Sequence, residues 1–127
     1  MAEPAWVMDS IVPAILDRQL QEHGGAEGLR DQALLESALA RPRHLWVYEP
    51  DSAIERLAAA YAYGLARNHP FTDGNKRVAL VVCETFLRLN GKMPTASQAE
   101  KVVIFTKLAA GEWNEDRLAD WLAQHVR

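Results

Sequence analysis

The sequence predicts an all-α fold built as one domain over residues 1–127. Three observations predict it. Apolar residues recur at helical spacing through six separate segments, start and stop signals bracket those segments, and no stretch alternates convincingly as a half-buried strand would.

The first helix is expected over Asp9 to Glu22, where Ile11, Val12, Ile15, Leu16 and Leu20 share a face and Asp9 or Ser10 serves as N-cap. Gly24-Gly25 ends it, and Gly28-Leu29-Arg30 reads as a bent connection. Asp31 then caps a short helix, Gln32 to Ala40, which Pro42 stops; Arg41 to Asp51 is expected as an ordered loop packed by Trp46 and Tyr48. Ser52-Ala53-Ile54-Glu55 has the form of a capping box and opens an alanine-rich third helix to about Arg67. A residue before proline is pushed out of the helical region, so His69-Pro70 marks that helix's exit.

The fourth helix, Asn75 to Leu89, is apolar on nearly every side and is therefore expected to be the buried central helix of the bundle. Asn90-Gly91 supplies a left-handed C-cap. Thr95-Ala96-Ser97-Gln98 opens a fifth helix to Ala110 that Gly111 closes, and Glu115 to Val126 forms an amphipathic sixth with Leu118, Trp121 and Leu122 inward.

With 49% hydrophobic and 24% charged residues, the composition is that of an ordinary soluble globular protein. A net charge of −3 argues against a general nucleic-acid binder, which normally carries a basic excess against phosphates. One cysteine cannot close an internal disulfide, and no segment approaches the length of a membrane span, so a reducing cytoplasm is the expected setting.

The densest chemistry lies in Asn68 to Val78, where a histidine, a carboxylate, an amide and two cations surround a Pro/Gly turn. A helix starting at Gly74-Asn75-Lys76-Arg77 turns its unpaired N–H groups and the positive end of its dipole toward the preceding loop, which makes an anion site. Lys76 and Arg77 add charge, and Arg67, on the last turn of the incoming helix, could reach the same place. Asp73 among these cations makes sense if Mg²⁺ arrives with a nucleotide, because that ion takes one or two protein carboxylates and fills its shell with phosphate and water. His69 is the natural general base, since imidazole exchanges protons near neutral pH. Taken singly, Asp73 or Asn75 is more often a helix cap, Lys76 and Arg77 more often solvated charges, and His69 more often a loop residue bonded to backbone. The constellation shifts the balance toward phosphoryl or nucleotidyl transfer. There is no G-x-x-x-x-G-K-[ST] loop and no H-E-x-x-H, and Cys83 reads as buried filler.

The run His69-Pro70-Phe71-Thr72-Asp73-Gly74-Asn75-Lys76-Arg77 resembles the signature of the Fic/Doc superfamily, and its Lys76 variant is similar to the Doc branch. The likeness extends to Gly24-Gly25, to Gly28-Leu29-Arg30-Asp31, to Leu35 through Pro42 and to Phe86-Leu87 with Asn90-Gly91. It implies a compact fold of about six helices and a toxin of a toxin–antitoxin pair. That toxin would transfer the γ-phosphate of ATP to a Ser/Thr hydroxyl of a translation factor, elongation factor Tu, and stop translation. The resemblance makes His69 the base, Asp73 the Mg²⁺ ligand, Asn75 and Arg77 phosphate contacts, and Gly74 to Lys76 a source of backbone donors. Lys76 decides the branch, because AMP transferases of the Fic type have glycine there. The alternatives are such AMP transfer or a non-catalytic module that keeps the anion site. Leu16 stands where some Doc-like proteins have a histidine in the first helix. No [Ser/Thr]-x-x-x-Glu-[Gly/Asn] segment occurs, so restraint by a separate antitoxin peptide seated in an apolar groove is expected. Tyr48, Tyr61 and Tyr63 are available either to a base pocket or to packing.

Overall fold

Six α-helices form among the described residues, 2–127, of the computed structural model: α1 Val12–His23, α2 Gln32–Tyr48, α3 Ile54–Asn68, α4 Asn75–Leu89, α5 Gln98–Ala109 and α6 Glu115–Gln124. A single 3₁₀ turn, Asp9–Ile11, leads into α1, so the first predicted helix splits in two. Extended pairing among these residues is limited to isolated bridges, Leu29 with Phe71 and Pro94 with Val126. Among the described residues no helix is long and apolar enough to cross a membrane.

The central helix is α3, not α4 as the apolar run had suggested. It packs against α2, α4, α5 and α6, and Ala58, Ala59, Ala60, Ala62 and Ala66 are wholly buried. Alanine and glycine keep α3 thin enough for neighbours to close around it. At Gly64 an added Cβ would lie 3.1 Å from Ala38 Cα, so α2 and α3 meet backbone to backbone there. By contrast α4 buries one face through Val78, Val82, Cys83, Phe86 and Leu87 and keeps Lys76, Arg77 and Arg88 outside. Its last turn closes as a Schellman motif: Lys92 N–H reaches the Leu87 carbonyl at 2.9 Å and Gly91, at φ 79°, that of Arg88 at 3.1 Å.

Three predicted boundaries moved, each for a local reason. Pro42 lies inside α2 and the helix runs on to Tyr48. A mid-helix proline loses one backbone bond and costs about 3 kcal/mol, but the extra turns pack Pro42, Leu45 and Trp46 onto the core and set Trp46 edge-on to Trp6. Fully burying an aliphatic or aromatic side chain contributes about 1.5–3 kcal/mol; with Pro42 buried and Leu45 and Trp46 part-buried, their combined burial is of the same order as the loss. Ser52 and Glu55 do not form the expected capping box: the Ser52 hydroxyl donates to the Glu49 carbonyl at 2.7 Å, and Glu55 pairs with Lys92 at 3.2 Å. At α5 the box falls two residues later than expected, between Ser97 and Glu100.

The N-terminal residues form a strap over the bundle. Ala5 exchanges two 2.9 Å hydrogen bonds with the Asn90 side chain, Trp6 stacks on Phe86, and the Val7 N–H donates to the Tyr61 hydroxyl at 3.3 Å. Burial raises the Tyr61 phenol above its ordinary pKa.

Candidate active site

Pro70 forbids α3 from continuing, and the chain turns at His69, which has φ 48° and ψ 56°. The residue leaves the right-handed region as a pre-proline residue should, but enters the left-handed one rather than the extended one. It is the one non-glycine at positive φ among the described residues. Such a conformation costs a residue with a Cβ about 1–2 kcal/mol.

The strain is held by the connection between α1 and α2. Arg30 Nε donates to the His69 carbonyl at 2.7 Å and its Nη2 to the Asn68 carbonyl at 2.9 Å. The Arg30 and Asp31 backbone N–H groups both reach the Pro70 carbonyl, at 2.8 and 3.0 Å, and Thr72 N–H reaches the Gly28 carbonyl at 3.0 Å. One Asp73 carboxylate oxygen accepts the Ala26 N–H at 2.9 Å. Gly25 permits this approach, since a Cβ there would stand 3.3 Å from Asp73 Cβ and 3.0 Å from Leu20. Residues 25–31 thus clasp the histidine loop from Asn68 to Asp73.

Asn75 closes the loop from the other side. Its Oδ1 accepts the Phe71 N–H and its Nδ2 donates to the Phe71 carbonyl, both at 3.0 Å, and the residue is buried. Both polar ends of the side chain are therefore committed to the turn. What Asn75 has left for a ligand is its backbone N–H, one of the donors that a helix start leaves without an intrahelical partner.

Helix α4 begins at Gly74, in the left-handed region at φ 84°, with no side-chain cap. A Cβ on Gly74 would press on Leu16 at 3.2 Å, which explains what the leucine in the first helix does: it packs under the helix start. The first turn carries no acid, and Lys76 and Arg77 are exposed. Cations at a helix N-terminus oppose the dipole by roughly 0.3–1 kcal/mol each, so this charge pattern works against the isolated helix and suits a bound anion. Arg77 Nη1 lies 3.4 Å from the Gly24 carbonyl, and both cations border a cleft of about 530 Å³ between α1, α4 and α5, with Val102 and Phe105 on its far wall.

A larger cleft, about 710 Å³, runs between α1 and the clasp and is lined by Leu16, Leu20, Leu29, Leu35 and Phe71. His69 and Asp73 belong to neither cleft; they stand exposed on the loop beside them. Arg67 departs from expectation: its Nη1 donates to the Ala109 carbonyl at 3.1 Å, so it caps the C-terminal end of α5, and no hydrogen bond joins it to the loop. Tyr61 is core, Tyr63 lies under Arg41 at 4.9 Å, and Tyr48 is exposed on the last turn of α2. Cys83 is buried on α4, where desolvation drives its thiol pKa far up and leaves it unreactive.

Among the described residues no group of three His, Cys, Asp or Glu side chains clusters as a metal cage. A lone carboxylate with one oxygen unpaired fits a magnesium ion that brings phosphates and water as its other ligands. The sequence had pointed to Asp73 and to the start of α4, but not to the roles of Ala26 and Arg30; the run Gly28-Leu29-Arg30-Asp31 was the only signal for them.

An all-helical bundle with a basic, uncapped helix start beside a loop histidine is the class of protein that the fold and the site define. Within that class the chain is placed by sequence: the Fic/DOC family profile matches residues 8–87, and the chain belongs to that family. It is 49% identical over 71 residues to "Toxin Doc" of Mycolicibacterium smegmatis, a match covering 54% of this chain and about half, 53%, of that protein. It is 31% identical over 109 residues to "Protein kinase doc" of Escherichia phage P1, covering 86% of each.

Proposed function

We propose that this protein is the toxin of a toxin–antitoxin pair and a Mg²⁺/ATP-dependent kinase that phosphorylates a Ser/Thr hydroxyl of a translation factor, elongation factor Tu by resemblance. One observation carries the reading. A histidine fixed in the left-handed region, a carboxylate with a free oxygen, and an uncapped basic helix start sit within nine residues of one clasped loop. The names of the two relatives, a toxin and a protein kinase, support it.

His69 accepts the proton of the target hydroxyl as its oxygen attacks the γ-phosphorus of ATP, whose bond to the β–γ bridging oxygen breaks so that ADP leaves. Asp73 would hold the metal through the oxygen that Ala26 does not use. Backbone donors of residues 74–77, with the Lys76 and Arg77 side chains, would hold the phosphates. Asn75 contributes through its N–H, its amide being occupied with Phe71. Bound Mg²⁺ supplies countercharge to the phosphates. Lys76 stands where the Fic-type AMP transferases have glycine, which favours presentation of the γ-phosphate. The apolar cleft beside the clasp, with Leu16, Leu29 and Phe71, offers the groove for an antitoxin peptide.

The test is incubation with purified elongation factor Tu, and with bacterial extract, using ATP labelled at either the α- or the γ-phosphate. Label on a protein from the γ-position alone fits the kinase. Label from the α-position makes the protein an AMP transferase, and label from neither favours a binding module.

A further inference from the structure

We infer that Arg30 is a positioning residue for His69: its guanidinium holds the base in its left-handed conformation and so aims the imidazole. The catalytic half of this inference rests on the reading of His69 as the base.

Three observations meet at Arg30. First, His69 adopts a backbone conformation that its own side chain disfavours by about 1–2 kcal/mol, so something outside α3 must stabilise it. Second, Arg30 is the side chain bonded to the exit of α3, and it engages two successive carbonyls, Asn68 at 2.9 Å and His69 at 2.7 Å. These are C-terminal carbonyls of a helix, where the dipole concentrates negative charge and a cation is favoured. Third, the fork is anchored from behind, since the Arg30 N–H bonds the Pro70 carbonyl at 2.8 Å and the Leu29–Phe71 bridge fixes the neighbouring backbone. The guanidinium therefore has a fixed base and a fixed pair of acceptors.

The planar fork matters as much as the charge. Two donors at set separation hold the Asn68 and His69 carbonyls in one relative orientation and so resist rotation of the peptide between them. A lysine offers a point charge and can satisfy one carbonyl or share itself loosely between both. Without the fork, the loop relaxes toward the extended conformation usual before proline, and the imidazole swings with its Cα. Misplacing a reacting group by about 1 Å can cost on the order of 10²-fold in rate. Phosphate binding at the start of α4 uses other residues, so it should be largely spared.

The experiment compares wild type with Arg30→Ala and Arg30→Lys by two independent readouts. One is the His69 backbone conformation, from NMR chemical shifts of the labelled protein without ligand. The other is transfer of γ-label to proteins of a bacterial extract, with kcat separated from the KM for ATP. Arg30→Ala is expected to keep its helical circular dichroism, to lose the left-handed signature at His69, and to drop kcat about 10²-fold with KM within about twofold. Arg30→Lys is expected to fall between the two in both readouts. A His69 backbone unchanged in Arg30→Ala overturns the inference whatever the rate does, and so does full activity with a displaced backbone. Full activity in His69→Ala, with the backbone displaced in Arg30→Ala, overturns the assignment of the base while supporting Arg30's hold on the residue.

Discussion

The starts of α4 and α5 are built from opposite logic. At α5 the chain satisfies itself: Ser97 Oγ accepts the Glu100 N–H at 3.2 Å, the Glu100 carboxylate reaches back to the Ser97 N–H at 3.5 Å, and the acid complements the dipole. Asp31 and Asn114 cap α2 and α6 in the same spirit, and α6 adds Glu115 and Asp116 to its first turn. At α4 the N-cap is a left-handed glycine, no side chain accepts from the first turn, and that turn carries cations and no acid. Absence of a cap alone would mean little, because α1 and α3 also lack one. What separates α4 is the wrong-signed charge in the first turn next to a loop that the rest of the protein braces. One helix start is closed by its own side chains and the other is not.

On that contrast, changes at α4 and its loop should move activity, and changes at α5 should move stability only. The largest effect expected is His69→Ala, which should cut phosphoryl transfer by about 10²–10⁴-fold while thermal melting shifts by no more than a few degrees, because His69 is exposed on a loop. Label transfer and calorimetry on the same preparation check both halves. Asn75→Ala crosses the boundary, since its amide shapes the site from a buried position. Leaving the Phe71 N–H and carbonyl without partners should cost about 2–3 kcal/mol in urea unfolding and reduce transfer through the disordered turn. Ser97→Ala should cost about 1 kcal/mol, as loss of an N-cap does, and leave transfer unchanged. A drop in activity there would break the comparison.

The smallest effect concerns the inner face of α4 and its neighbour. Burial holds the Tyr61 and Cys83 side chains neutral by raising their pKa values in the folded state. The unfolded chain ionises them at their ordinary values, about 8.5 for a thiol and 10 for a phenol. Their contribution to stability is therefore complete below those values and declines as pH rises through and beyond them. Urea midpoints should be flat for these groups from pH 7 to about 8 and fall toward pH 10. Cys83 should resist alkylation throughout that range until the protein unfolds.

How much could be read from the chain alone depends on how local the cause was. The α4 boundaries, the Asn90-Gly91 stop and the caps at Asp31 and Gly111 follow from residues within a turn of each other, and they were legible. So was the concentration of chemistry between His69 and Arg77. Pro42 was read as a stop because its cost is local, whereas the packing of Leu45 and Trp46 that offsets it is not. Ser97 shows the same limit at shorter range, since Thr95 with Gln98 and Ser97 with Glu100 are overlapping capping patterns and the helix starts on the second; at Ser52 the hydroxyl turns back to the Glu49 carbonyl instead of capping α3.

By itself, then, the sequence determined an all-helical chain and a basic helix start preceded by a histidine, because backbone sterics, capping and helical periodicity act between near neighbours. Tertiary structure alone decided that the thin, alanine-rich α3 lies at the centre and that Arg67 serves α5. It also decided that Arg30, thirty-nine residues before His69, fixes the conformation of that histidine. Those outcomes depend on which surfaces meet when helices close on one another, and the hydrogen bonds that result join residues for which no local pattern exists.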